Sequence, residues 1–228
     1  MLSAHSHRML NPSQSLADLA LTIPAASRVF RRHRLDFCCG GKKSVAEACA
    51  ARGLDVTSIL QQIEADAPST QSADWQTRPL PELIDHILVN YHEAHRRELA
   101  DLVELARKVE RVHADKADVP RGLTEHLAHM LEAMELHMQK EERILFPAIL
   151  RGLRIELSGP IHQMELEHDD HGASLRTLRD LASDFVPPPE ACTSWRALFL
   201  RCEQLEADLM AHVHLENHVL FPRVMGSN

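Results

Sequence analysis

The chain has 228 residues, of which 44% are hydrophobic and 25% are charged, a composition that excludes a disordered or fibrous protein. Its net charge of −8 argues against nucleic acid and anionic lipid as partners, because both are polyanions. Every apolar stretch is shorter than the roughly 20 residues that a transmembrane helix needs, so no membrane association is expected.

Helix-forming residues dominate the chain, which has only 8 glycines and 4% aromatic residues. We therefore expect an all-α protein. The N-terminal part predicts four short helices, at about residues 16–21, 25–34, 44–51 and 56–65. We predict a small helical N-terminal domain at residues 1–66, followed at residues 67–80 by a linker rich in proline, serine and threonine.

A turn with paired cysteines and paired glycines, Cys38-Cys39-Gly40-Gly41, separates the second and third short helices. The chain has five cysteines, an odd number that indicates free thiols in a reducing compartment, so a cytoplasmic location is expected. Cys38 and Cys39 have two interpretations: small buried hydrophobic residues, or an exposed thiol pair made more nucleophilic by the two lysines that follow. The sequence alone leaves both open.

Beyond the linker, residues 81–228 contain four long segments with apolar residues at helical spacing. These segments span about residues 81–111, 123–150, 161–185 and 193–220. Turn-like stretches separate them, and the last break contains three consecutive prolines, which cannot continue a helix. Long helices joined by short connections predict an antiparallel four-helix bundle.

The 16 histidines are the most unusual feature of the chain, and several of them belong to an internal repeat. The second and fourth long helices both contain the pattern His-x-x-x-Glu-x-x-x-Leu-Phe-Pro, and the first and third contain a matched histidine. A single His-x-x-x-Glu is usually a surface pair, but its duplication indicates a shared site. The repeat selects six candidate metal ligands: His92, His137, Glu141, His168, His212 and Glu216.

The spacing of these residues predicts a dinuclear metal centre. Residues four apart share one helix face, so each histidine can reach the same point as its glutamate. Two glutamates in a bundle core repel each other unless a cation binds both. Each metal would bind two histidines, and both glutamates and a water-derived oxygen would bridge the two metals. One coordination position on each metal would then stay open for a small molecule. Nitrogen and oxygen donors without thiolate suit iron or manganese.

The motifs together resemble those of a known family, the di-iron iron-sulfur cluster repair proteins (repair of iron centres), whose C-terminal domain is hemerythrin-like. The resemblance covers nearly the whole chain. The segments that carry it include Asp36-Phe-Cys-Cys-Gly-Gly41, Tyr91-His-Glu-Ala-His95, Lys140-Glu-Glu-Arg-Ile-Leu-Phe-Pro147, Glu167-His-Asp169 and Leu215-Glu-Asn-His-Val-Leu-Phe-Pro222.

This resemblance implies two iron ions with an oxo or hydroxo bridge, held by the same six residues. It implies repair of iron-sulfur clusters damaged by nitrosative and oxidative stress, through nitric oxide binding and reduction to nitrous oxide, through iron donation, or both. It also assigns Glu167 to an access path or proton relay, and Cys38 and Cys39 to a functional pair. The implied partners are nitric oxide or dioxygen, damaged iron-sulfur proteins, an unidentified electron donor and a second copy in a homodimer.

Two other functions are compatible with a di-iron bundle. One is a sensor or carrier that binds dioxygen reversibly or reports the iron level, and the other is a ferroxidase or storage module. The paired cysteines discriminate between these functions and repair, because a pure oxygen carrier has no use for a thiol pair.

Overall fold

The computed structural model describes residues 10–66, 75–153 and 155–226, and every named element within these ranges is a helix. The prediction of an all-α protein is therefore confirmed. The chain divides into two compact units, Met1–Ala73 and Asp74–Asn228. None of the described helices combines the length and the apolar character that crossing a membrane requires.

Four short helices form the N-terminal unit: α1 (Leu16–Thr22), α2 (Pro24–Arg32), α3 (Val45–Ala51) and α4 (Val56–Asp66). Local signals set where they begin. The Ser15 hydroxyl accepts a hydrogen bond from the backbone N–H of Asp18 at the start of α1, and Ser44 and Glu47 form a capping box at the start of α3. Pro24, which lacks an N–H, begins α2.

The core of the N-terminal unit forms around α2. Val29 and Phe30 are fully buried on this helix, and the ring of Phe30 lies 6.2 Å from that of Phe37 in the turn that follows. Burying an aromatic side chain contributes roughly 1.5–3 kcal/mol. This packing holds the segment that carries the paired cysteines against α2.

Four long helices form the C-terminal unit, and three of them contain one turn of π-helix. Their bounds are α5 (Leu80–Ile87, π-turn Leu88–His92, Glu93–Val112), α6 (Leu123–Lys140, π-turn Glu141–Leu145, Phe146–Leu150), α7 (Ser158–Leu181) and α8 (Thr193–Leu215, π-turn Glu216–Leu220, Phe221–Met225).

The long helices form an antiparallel bundle, as predicted. Helix α5 packs against α6 and α8, and α7 packs against the same two helices, so α6 and α8 occupy opposite corners. The contacts between α5 and α8 show the direction: Tyr91 stacks on His212, whereas Arg201, earlier in α8, donates to Glu98, later in α5. Opposite corners of such a bundle face each other across its core.

The third long helix differs from its predicted range of 161–185. Helix α7 begins at Ser158 and ends at Leu181, because Ser183, Asp184 and Phe185 have φ angles of 49°, 56° and 62°. Consecutive left-handed residues cannot continue a right-handed helix. The Arg179 guanidinium lies 4.6 Å from the centre of the Phe185 ring and holds this turn against the helix.

The predicted linker, residues 67–80, lies partly outside the described residues, which resume at residue 75. The Trp75 ring stacks on His86 with the ring centres 4.3 Å apart. Arg223 donates hydrogen bonds of 2.7 Å and 2.6 Å to the backbone carbonyls of Trp75 and Arg78. The final residues of the predicted linker therefore pack on the unit that follows them.

Candidate metal centre

The structure brings all six predicted ligand residues together in the core of the bundle, one or two from each long helix. Their side chains are fully buried. The donor atoms form two sets, each within 4.8 Å of one another: His92, Glu141, His212 and Glu216, and His137, Glu141, His168 and Glu216. Both glutamates belong to both sets, which is the arrangement expected of two metal ions bridged by two carboxylates.

Every predicted ligand histidine turns its Nε2 atom towards a glutamate. The Nε2 atoms of His92 and His137 both lie 3.4 Å from Oε2 of Glu141. The Nε2 atoms of His168 and His212 lie 3.2 Å and 3.3 Å from the carboxylate oxygens of Glu216. Each glutamate thus faces one histidine of each set, as a bridging carboxylate must.

The three π-turns lie at the ligands themselves. His92 ends the first, and Glu141 and Glu216 begin the other two. A proline follows closely after each of the last two turns, at Pro147 and Pro222, where a regular α-helix would place its ring against a carbonyl one turn earlier. The wider turn accommodates the proline, and π-turns are frequent at functional sites. Both prolines belong to the repeated Leu-Phe-Pro tails.

The buried polar atoms fit a pair of cations. Neither Glu141 nor Glu216 has a hydrogen-bond partner for its carboxylate oxygens among the described residues, and the same holds for Nε2 of His92 and His212. Burial and the charge of Glu216 raise the pKa of Glu141 well above its usual range. Cations bound between the two acids would offset this repulsion and let both be ionised in the core. Nitrogen and carboxylate donors in this number suit iron.

Three of the four predicted ligand histidines are oriented by a hydrogen bond at Nδ1, the ring nitrogen that faces away from the centre. Nδ1 of His92 lies 2.8 Å from a carboxylate oxygen of Glu142, and Nδ1 of His168 lies 2.7 Å from the amide oxygen of Asn217. An acceptor at Nδ1 fixes the proton there and leaves Nε2 free for a metal. The sequence-based prediction missed Glu142 and Asn217, although each directly follows a ligand glutamate in the chain.

Glu167 is the third of these acceptors. Its carboxylate lies 3.0 Å from Nδ1 of His137 and accepts hydrogen bonds of 2.7 Å from Lys140 and 2.9 Å from Gln163. Partial burial opposes its ionisation, but the Lys140 ammonium lowers the pKa of Glu167 to about 2. Glu167 therefore contacts the predicted ligand His137, and it does so as an ionised acceptor at neutral pH.

Two further buried histidines lie beside the predicted ligands, each three residues after one of them in the chain. The His95 ring lies 5.3 Å from His212, and the His171 ring lies 4.9 Å from His137. Burial, followed by the neighbouring histidine ligands, lowers the pKa of His95 to about 2 and that of His171 to about 4. Both imidazoles are therefore neutral at physiological pH.

The paired cysteines lie in the N-terminal unit, in a turn held by Asp36. One carboxylate oxygen of Asp36 accepts hydrogen bonds from the backbone N–H groups of Cys38 and Cys39, at 3.2 Å and 2.9 Å. The two sulfur atoms are 3.6 Å apart. Of the two interpretations that the sequence left open, the buried one describes Cys38, because the segment packs on α2, whereas Cys39 is half-buried. A hydrogen bond with Cys39 and burial raise the pKa of Cys38 well above its usual value.

Comparisons with known proteins agree with this geometry. Residues 83–224 match the hemerythrin HHE cation binding domain, and residues 12–67 match a domain of unknown function, DUF542. The chain is 48% identical to the iron-sulfur cluster repair protein YtfE of Cronobacter sakazakii over 213 residues, 93% of this chain and 96% of that protein. Proteins of the same name from Citrobacter koseri and Escherichia coli are 47% and 48% identical, with 97% of each covered. The chain therefore belongs to the YtfE family of iron-sulfur cluster repair proteins.

Proposed function

We propose that the protein repairs iron-sulfur clusters damaged by nitrosative and oxidative stress, and that a di-iron centre in the bundle carries out its chemistry. The single observation that supports the proposal most strongly is the pair of buried ligand sets that share Glu141 and Glu216. The relatives described above are named for cluster repair, and the matched family binds cations.

The donor set assigns each iron two histidines. His92 and His212 would hold one iron and His137 and His168 the other, with Glu141 and Glu216 bridging both. When bound, such a centre, with an oxo or hydroxo bridge, supplies open coordination positions for nitric oxide or dioxygen and electrons for reduction of the guest. We therefore propose nitric oxide reduction to nitrous oxide, iron donation, or both, as its contribution to repair.

The protein surrounding the site keeps its ligands in place and excludes bulk water. The ring of Phe146 packs 5.7 Å from His92, and the ring of Phe221 stacks on His168 at 5.9 Å. Both phenylalanines come from the repeated Leu-Phe-Pro tails and are buried. A dry apolar wall strengthens the electrostatic attraction between the carboxylates and a cation.

The remaining predicted residues take supporting roles in this proposal. Glu167 is proposed to hold His137 in position and to line an access path to the centre. Cys38 and Cys39 are proposed to act on the damaged cluster or its iron. Repair requires damaged iron-sulfur proteins and an external electron donor as partners, and we propose that the protein works in the cytoplasm as a homodimer.

A two-part experiment tests this function. The diferrous protein is mixed with nitric oxide under anaerobic conditions in a single turnover, and nitrous oxide is quantified. In parallel, the protein is added to a hydratase whose [4Fe-4S] cluster has been damaged by nitric oxide, and recovery of hydratase activity is followed. Recovery that depends on the iron-loaded protein supports repair, and nitrous oxide identifies reduction as one route. A protein that binds dioxygen reversibly but restores no cluster is a carrier, and the proposal is then wrong.

A further inference from the structure

We propose that the two metal positions are unequal, and that the iron held by His92 and His212 leaves first when the protein releases iron. This inference rests on the proposed di-iron function. It is drawn from the hydrogen bonds behind the ligands, which differ between the two halves of the site although the repeat makes the ligands themselves equivalent.

Both histidines of the other half are anchored at Nδ1. Nδ1 of His137 lies 3.0 Å from the Glu167 carboxylate, and that carboxylate also accepts a hydrogen bond from Lys140. His168 has the amide oxygen of Asn217 at 2.7 Å. An outer acceptor fixes the orientation and tautomer of a ligand imidazole, and its loss typically lowers metal affinity about 10–100-fold. This half therefore holds its metal with two oriented ligands.

His212 lacks such an anchor. Its Nδ1 atom is buried and has no hydrogen-bond partner among the described residues. The ring is positioned instead by stacking on Tyr91, with the ring centres 5.2 Å apart and the planes inclined by 7°. Stacking restricts the plane of the imidazole, but it supplies no acceptor that would set which ring nitrogen carries the proton. The metal on this side would therefore depend on one ligand with an outer acceptor, His92, and one without, His212.

The same half adjoins the surface. His92 is anchored by Glu142, whose side chain is 28% exposed and also pairs with Arg96 at 2.9 Å. Glu142 and Arg96 line a surface cavity of about 390 Å³, with Phe146 on its wall beside His92. This cavity therefore brings the surface close to the acceptor that orients His92. Release of ferrous iron from this half needs no change of oxidation state.

Partial removal of iron tests the order of release directly. Crystals of the full-length diferrous protein are soaked anaerobically with a ferrous chelator until about half of the iron is lost, and the occupancy of each position is measured by anomalous scattering at the iron edge. We expect the position between His92 and His212 to empty while the other stays nearly full. Equal loss at both positions, or loss first at His137 and His168, overturns the inference. If untreated crystals hold no iron at either position, the proposed function fails instead.

Variants of Asn217 provide a second test in solution, where iron release to the chelator is expected to be biphasic. Asn217→Leu removes the acceptor behind His168 and should accelerate the slow phase about 10–100-fold while leaving the fast phase unchanged. Asn217→Asp keeps an oxygen at this position and should restore the slow phase. If the slow phase of Asn217→Leu is unchanged, or if Asn217→Asp fails to restore it, the hydrogen bond does not control release and the inference is wrong.

Discussion

Glu141 and Glu216 face each other from helices at opposite corners of the bundle, and the donor atoms of each lie within 4.8 Å of both pairs of histidines. The two acids are separated by a long stretch of chain, and it is the antiparallel packing of α6 and α8 that brings them together. Because each glutamate belongs to both sets, we expect the binding of the two metal ions to be interdependent.

Replacement of a shared glutamate is expected to affect both metals. We predict that Glu141→Ala lowers iron from two per chain to one or fewer and abolishes magnetic coupling, because no single carboxylate can replace both bridges. Metal analysis and Mössbauer spectroscopy measure the change. Glu206→Gln is a matched control, since Glu206 is a buried acid that pairs with Arg179 away from the site. This control should lose stability but keep two irons. A coupled pair in Glu141→Ala contradicts the bridging role.

Glu167 is expected to matter for metal binding through His137. We predict that Glu167→Leu weakens iron binding about 10–100-fold, because His137 then loses the acceptor that orients it. Titration with ferrous iron against a competing chelator measures the effect. Glu165→Leu, two residues away on the same helix, serves as the control and should bind iron normally, because Glu165 pairs with His162 at 3.8 Å and with no other residue that the structure describes. Equal affinities for the two variants would count against this role of Glu167.

The cysteine pair is expected to affect repair without affecting the iron centre. We predict that Cys38→Ser with Cys39→Ser strongly reduces recovery of a damaged cluster, while the Mössbauer spectrum of the bundle stays unchanged. Cys39→Ser alone should have most of this effect, because Cys39 is the more accessible of the two thiols. If the double variant repairs clusters as well as the unmodified protein, the pair has no part in repair.

Cys202 should make the stability of the bundle fall at high pH. Burial, and then the charge of Glu98, raises the pKa of Cys202 from 9.0 to about 12. Below pH 9 the thiol is protonated in both the folded and the unfolded chain. Between pH 9 and about 12 the thiol ionises only in the unfolded chain, so the free energy of the unfolded state falls relative to that of the folded state. The thiol therefore lowers the free energy of unfolding by about 1.4 kcal/mol per pH unit in this window.

Urea unfolding at pH 8 and pH 10.5 measures this effect. Cys202→Ala should be less stable at pH 8, because it leaves a small cavity in the core, but its stability should decline less between the two pH values. If both proteins decline equally, the thiol does not contribute to the pH dependence.

Much of the bundle and its centre could be predicted from the sequence, because the repeated His-x-x-x-Glu pattern fixes which face of each helix carries the ligands. The π-turns could not, since one extra residue in a turn barely disturbs the apolar period around Glu141 and Glu216. Glu142 and Asn217 were also missed, because their hydrogen bonds join different helices. The burial of Cys38 depends on packing against α2, which its local sequence does not reveal.

The most direct test of the central claim is the metal content of the natively purified protein, combined with its Mössbauer spectrum. We expect two irons per chain, with the ferric ions antiferromagnetically coupled through their bridges. One iron per chain, or two irons without magnetic coupling, would contradict it.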